Sequence, residues 1–174
     1  MPVNNIRRSF SLGAIAAAGL LICGRASAQG LATPAERVML TISGKISVTN
    51  VGNTAQFDRA MLEAMGLVSF ETSTPWHSGP QKFEGVSIDK LLKSVGASGD
   101  RIQAIALNDY TTEIPIEDFT RYNVILALKR NNEYMPVRDK GPLFIVYPYD
   151  SDPELRSQKY YSRSAWQLSQ IIVR

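Results

Sequence analysis

Arg138-Asp139-Lys140-Gly141-Pro142-Leu143-Phe144-Ile145-Val146-Tyr147-Pro148 is the stretch on which the fold turns. A charged Gly-Pro turn feeds five apolar residues, 143–147, into a proline stop. Glycine and proline punctuate the backbone, and so short an apolar run reads as a buried strand with a charged loop at its mouth. Its neighbours support that reading. Residues 124–128 form a second buried strand, residues 130–133 a polar hairpin turn, and residues 134–137 pair back. Residues 148–158 read as a polar loop with two prolines. Trp166, Leu168, Gln170 and Ile172 then alternate as a closing strand.

The upstream half adds helices to strands. Val38, Leu40 and Ile42 alternate with Met39, Thr41 and Ser43, Gly44 breaks the run, and residues 45–48 are expected to resume it. Thr54 is the expected cap of a helix in which Phe57, Met61, Leu62 and Met65 share a face and Gly66 is the stop. Residues 68–72 read as a strand and residues 73–82 as a Ser/Pro/Gly loop holding Trp76 and His77. Ser87 caps an amphipathic helix, with Ile88, Leu91, Leu92 and Val95 at i, i+3, i+4 and i+7 and Gly96 at its end. Residues 101–107 are a strand, Asn108-Asp109 a turn, residues 110–114 a returning strand, and residues 115–119 a short helical turn. The helices are not spaced as repeated crossovers, so the pattern predicts an α+β domain with a mixed β-sheet rather than a doubly wound fold.

Residues 1–28 read as a cleaved signal peptide. Arg7 and Arg8 form the basic start, residues 12–22 the apolar stretch, and Ala26-Ser27-Ala28 a small-x-small cleavage site. The apolar stretch is shorter than the ~20 residues a spanning helix needs. Cys23 follows Ile22, which is larger than the residue usual before a lipidated cysteine. Arg7-Arg8-Ser9-Phe10-Ser11-Leu12 resembles a twin-arginine export signal, and an ordinary Sec signal stays open. The expected mature domain, residues 29–174, is therefore periplasmic and has no transmembrane segment. Removing Arg7, Arg8 and Arg25 from the nineteen basic residues leaves sixteen, equal to the sixteen acidic ones. Without a basic stripe, nucleic-acid binding has no electrostatic support. Cys23 is the chain's only cysteine, so the mature domain would hold neither disulfides nor thiolate metal sites.

Trp76, Phe83-Glu84-Gly85-Val86, Asn108-Asp109-Tyr110 and the Gly141-Pro142 turn occur in an order similar to that of the molybdopterin-binding domain of sulfite-oxidase-type oxidoreductases. The resemblance covers most of residues 38–173. It implies the mixed-sheet α+β fold of that family and a pocket for molybdopterin. It also exposes three departures. The family's molybdenum-ligating cysteine falls near Thr72 or Ser73, whose hydroxyls are poor substitutes for a soft thiolate. Phe144 stands where the family often has an arginine for the pterin phosphate. Tyr149 stands where a glycine would let the backbone approach closely. A lost charge-assisted contact of that kind is worth roughly 1.5–3 kcal/mol.

Other chemistries lack their residues. His77 is the only histidine, and no Gly-x-Ser-x-Gly elbow accompanies it. A zinc site would need more ligands than one imidazole. Asp150-Ser151-Asp152-Pro153-Glu154 lacks the central glycine and spacing of an EF-hand loop. The resemblance, with the charged residues on loops beside predicted strand ends, implies a candidate pocket of Ser73, Trp76, His77, Asn108, Asp109, Tyr110, Arg138, Lys140 and Arg163. Tyr160, Tyr161 and Trp166 add aromatic surface nearby; an ordinary charged rim over core aromatics would use the same residues. Two functions follow as expectations. One is a degenerate, sensory or accessory module that binds no cofactor and takes a small anionic ligand or a periplasmic or membrane signalling protein. The other is a molybdopterin-dependent oxidoreductase whose metal is held without cysteine.

Overall fold

The computed structural model describes residues 30–174; the expected signal peptide and Cys23 lie outside them. In chain order come β1 (Leu40–Gly44), β2 (Ala55–Phe57), α1 (Arg59–Ala64), β3 (Val68–Thr74), β4 (His77–Ser87) and α2 (Ile88–Ser94). They are followed by β5 (Arg101–Ala106), β6 (Thr111–Pro115), α3 (Glu117–Arg121), β7 (Ile125–Arg130), β8 (Glu133–Tyr134), β9 (Phe144–Val146), α4 (Gln158–Arg163) and β10 (Leu168–Val173). One sheet runs β2-β1-β10-β5-β6, with β1 and β10 parallel and the other pairs antiparallel. The second runs β3-β4-β7-β8, and β9 also pairs with β7. This is the α+β architecture with mixed pairing that the sequence pattern predicts. Among the described residues no helix is long and apolar enough to cross a membrane.

The Gly-Pro turn delivers the strand expected of it. Every residue of β9 is buried, as are Ile125, Leu126, Ala127 and Leu128 of β7 beside it. Continuous burial is what an unbroken apolar run requires of a strand covered on both faces. β9 also stitches the sheets together. Phe144 forms an antiparallel bridge with Trp166, Ile145 N–H donates to Ala165 O, and Leu168 N–H donates to Leu143 O. The chain then continues from there into β10 of the other sheet. Side chains from both sheets, with Leu62 of α1, Ile88 and Leu91 of α2 and Phe119 of α3, meet in one core. Gly85 is required where β4 crosses β7: a Cβ there would collide with Leu126 O and lie 2.5 Å from the Ala127 Cα.

Several local expectations need correction. The first helix is capped by Asp58, whose Oδ1 accepts from Met61 N–H at 2.9 Å. Thr54 instead donates its hydroxyl to Val51 O in a turn, and Phe57 belongs to β2. Residues 45–48 do not resume a strand, because Ser47 and Val48 donate their N–H groups to Val95 O at the end of α2. Residues 73–82 are a hairpin rather than a loop: Thr74 pairs with His77 across a Pro75-Trp76 turn. Residues 148–158 contain a 3-10 turn at Pro153–Leu155 and lead into α4. In the closing strand a bulge between Leu168 and Gln170 shifts the register, so Ile171 and Val173, not Ile172, are buried.

Candidate functional site

The β3–β4 hairpin places Trp76 at one end of the molecule. Its ring meets Phe144 at 5.6 Å, Tyr149 at 6.3 Å, Tyr161 at 5.9 Å and Trp166 at 5.4 Å between ring centres, each edge-on. Edge-to-face pairing is the favoured aromatic geometry and fixes the ring in place. From the other sheet, the β5–β6 turn brings up Asn108 and Tyr110. Asp109 holds this turn with φ 63°, a left-handed conformation that aspartate tolerates better than most residues. Asn108 Oδ1 accepts from Tyr110 N–H at 3.2 Å, and the Tyr110 hydroxyl donates to Ser162 O at 2.9 Å. That second bond ties the turn to α4. The result is a cavity of about 300 Å³ walled by Trp76, Tyr110, Tyr161 and Trp166, with Asn108 and Gln158 among its polar lining.

Beside it lies a smaller hollow of about 190 Å³ that includes Ser73, Asp150 and Tyr161. Ser73 N–H donates to Asp150 Oδ2 at 2.6 Å, and Asp150 N–H donates to the buried Thr72 hydroxyl at 3.1 Å. The Ser73 backbone bond is the largest influence holding the Asp150 carboxyl below its usual range, and Arg156 adds to it. A third, larger groove of about 700 Å³ runs past Arg37, Val38, Leu107, Val137 and Gln170 and contains none of the residues expected in the site.

Trp76, Asn108 and Tyr110 thus share one cavity, and Ser73 faces the hollow next to it. His77 sits behind Trp76, turned toward Phe83 at 6.1 Å. Its Nδ1 is 2.8 Å from the Thr74 hydroxyl, while its buried Nε2 has no partner among the described residues. Burial, and then the charges of Arg130 and Lys140, hold its pKa below the ordinary imidazole value. Lys140 places its ammonium 4.3 Å from the centre of the Trp166 ring. Asp109 and Arg138 are exposed and line none of these three cavities. Arg163 is directed into the protein: it donates to Asp118 Oδ2 at 2.7 Å, and the Tyr147 hydroxyl donates to the same oxygen at 2.7 Å. Burial first, and the Asp118 carboxylate second, push the Tyr147 phenol up. Sequence reasoning left Gln158, Ser162 and Ser164 out of the pocket because it assigned the end of a polar loop to Gln158 and no element to residues 159–165, where α4 forms.

A family model described as the oxidoreductase molybdopterin-binding domain matches residues 39–151. The chain belongs to that family. A comparison with curated proteins finds no match. The matched segment carries Trp76, Asn108 and Tyr110, whereas Gln158, Tyr161 and Trp166 lie beyond its end. Molybdopterin binding is thus a property of the family, and the donor set present here fits that cofactor poorly. The described residues include no cysteine, and they form no group of three or more His, Cys, Asp and Glu. Phe144 and Tyr149, at two positions the resemblance assigns to cofactor contact, are buried against Trp76. Tyr149 also hydrogen-bonds the buried Ser164 hydroxyl.

Proposed function

We propose that this chain is an exported, non-catalytic member of the molybdopterin-binding domain family that serves as a ligand-binding sensory or accessory module. The observation that carries the proposal is the burial of Phe144 and Tyr149. Both side chains are packed core, at positions that the resemblance assigns to cofactor contact. A phosphate-bearing pterin would have to displace fully desolvated aromatic rings and would find no cation in place of Phe144. The neighbouring aromatic cavity gives the module a place for a small ligand. In this proposal residues 1–28 direct the protein to the periplasm and are cleaved behind Ala28, so N-terminal sequencing of exported protein begins at Gln29.

The deciding experiment is elemental analysis of protein purified from a molybdopterin-making host. Far less than one molybdenum per chain, with no pterin fluorescence, is the expected result. Near-equimolar molybdenum would replace this function by the second one, a molybdopterin-dependent oxidoreductase with non-cysteine ligation. One feature favours that alternative: His77 keeps a buried ring nitrogen without a partner among the described residues. His77→Gln would then be the first substitution to test for lost metal.

A further inference from the structure

We infer that the cavity walled by Trp76, Tyr110, Tyr161 and Trp166 takes an uncharged sugar ring; the inference rests on the ligand-binding function proposed above. Size is the first argument. About 300 Å³ lies at the small end of ligand pockets and has room for a single ring rather than a chain. Shape is the second. Trp76 stands at 73° to Tyr161 and 74° to Trp166, so these rings form corners rather than parallel slabs. A flat heteroaromatic ligand is best held between parallel slabs. A puckered ring carries C–H groups on its faces and its edge, and it can lay them against aromatic faces that meet at an angle.

Charge is the third argument, and it excludes the competitors. No acidic or basic side chain lines the cavity. Of the nearby cations, Arg163 is committed to Asp118 and Lys140 lies over the Trp166 ring outside the lining, so the wall itself offers an anion no charge-assisted partner. A quaternary ammonium ion suits an aromatic cage, but here a face of the Trp166 ring is already taken by the Lys140 ammonium, 4.3 Å from its centre. The polar side chains of the lining are hydroxyls and amides; those of Tyr110, Ser162 and Ser164 already donate to Ser162 O, Lys159 O and Tyr160 O, which leaves Tyr161 and the two amides. Asn108 has its oxygen engaged by Tyr110 N–H, which leaves its NH₂ as a donor, and Gln158 offers both a donor and an acceptor at the exposed mouth. Hydroxyl groups, each both donor and acceptor, are the natural complement of such a set.

The chain supplies its own probe, since its two tryptophans, Trp76 and Trp166, both stand on the wall. Purified mature protein is titrated with glucose, galactose, mannose and N-acetylglucosamine, and in parallel with choline chloride and benzoate, while tryptophan emission is recorded. A saturable change with at least one uncharged sugar is expected, and none with choline or benzoate. Gln158→Ala alters an exposed side chain and is expected to weaken that binding about tenfold without changing the melting temperature. Trp166→Phe retains an aromatic wall for cases in which a smaller residue would not fold, and it should report through Trp76 alone. The inference is overturned if no uncharged sugar acts up to about 100 mM, well above a millimolar Kd. It is equally overturned if choline or benzoate saturates instead, or if Gln158→Ala leaves sugar binding unchanged. Molybdenum analysis of the same preparation separates the two layers. Metal-free protein that ignores sugars loses the ligand class only, whereas stoichiometric molybdenum removes the ligand-binding function itself.

Discussion

His77 is a titration experiment in a single side chain. Its folded pKa is lowered from 6.5 by burial and by the charges of Arg130 and Lys140. Below that ordinary value the unfolded chain takes up a proton that the folded protein resists, so stability falls as pH drops through about 6.5 and levels off below the folded pKa. Because His77 is the only histidine, it is the one side chain whose ordinary pKa falls between neutrality and the carboxylate range. Thermal melts should show a falling melting temperature on acidification from pH 7 to about 5, and His77→Gln should flatten that slope. An unchanged slope in the variant would assign the effect elsewhere. Phe144 offers a second test. If it is core rather than a lapsed phosphate contact, Phe144→Arg buries a charge among aromatic rings. It should then cost at least about 3 kcal/mol by urea denaturation and should not confer molybdopterin binding. At this scale the sequence was partly legible. The order of the short motifs brought Trp76, Asn108 and Tyr110 to one cavity. Arg163 was misleading because its partner, Asp118, lies 45 positions upstream, and neither local spacing nor charge pattern reveals a pairing made by the fold.

Among the elements, the caps and turns separate what local chemistry specifies from what packing decides. Ser87 was readable as a cap because its hydroxyl serves its own helix, accepting from Lys90 N–H. Asp58 was not, since residues before it look helical by periodicity yet are drawn into β2 by pairing with β1. Its carboxylate does two jobs. One oxygen caps α1, and the other accepts from Ala35 N–H at 2.8 Å and Glu36 N–H at 3.1 Å, fastening the incoming segment. Those backbone donors, with Met61 the largest contributor, hold its pKa down. Asp58→Ala is expected to cost about 2 kcal/mol, the upper range for a helix cap. Amide hydrogen exchange should quicken at Ala35 and Glu36 as well as in α1. Protection lost in α1 alone would show that the second oxygen contributes little. The β10 bulge was illegible for a related reason. Alternation extrapolates one register along a strand, and a single extra residue reverses which side chains face the core.

For the molecule as a whole, the Asp118, Tyr147 and Arg163 triad joins α3, the end of the β9 segment and α4. Its side chains are withdrawn from water, with Arg163 18% and Asp118 10% exposed, so removing one partner strands the other. Asp118→Ala is expected to destabilise the fold by about 3–5 kcal/mol in equilibrium urea unfolding. Arg163→Met, which removes the cation but keeps much of its bulk, should cost less. Equal costs would point to charge rather than packing as the source.

The parallel pairing of β1 with β10 has a consequence for the timing of biosynthesis. Thr41 and Gln170 are register partners although 129 positions separate them. β10 is the middle strand of its sheet, between β1 and β5. A nascent chain that has reached residue 151 has emerged with two halves of a sheet and no strand to join them. β1 and β5 must wait with unpaired edges until residues 168–173 have been made. Folding is therefore late and dominated by distant contacts, which slows it. During that interval the unpaired edges and apolar strands are natural substrates for holding chaperones.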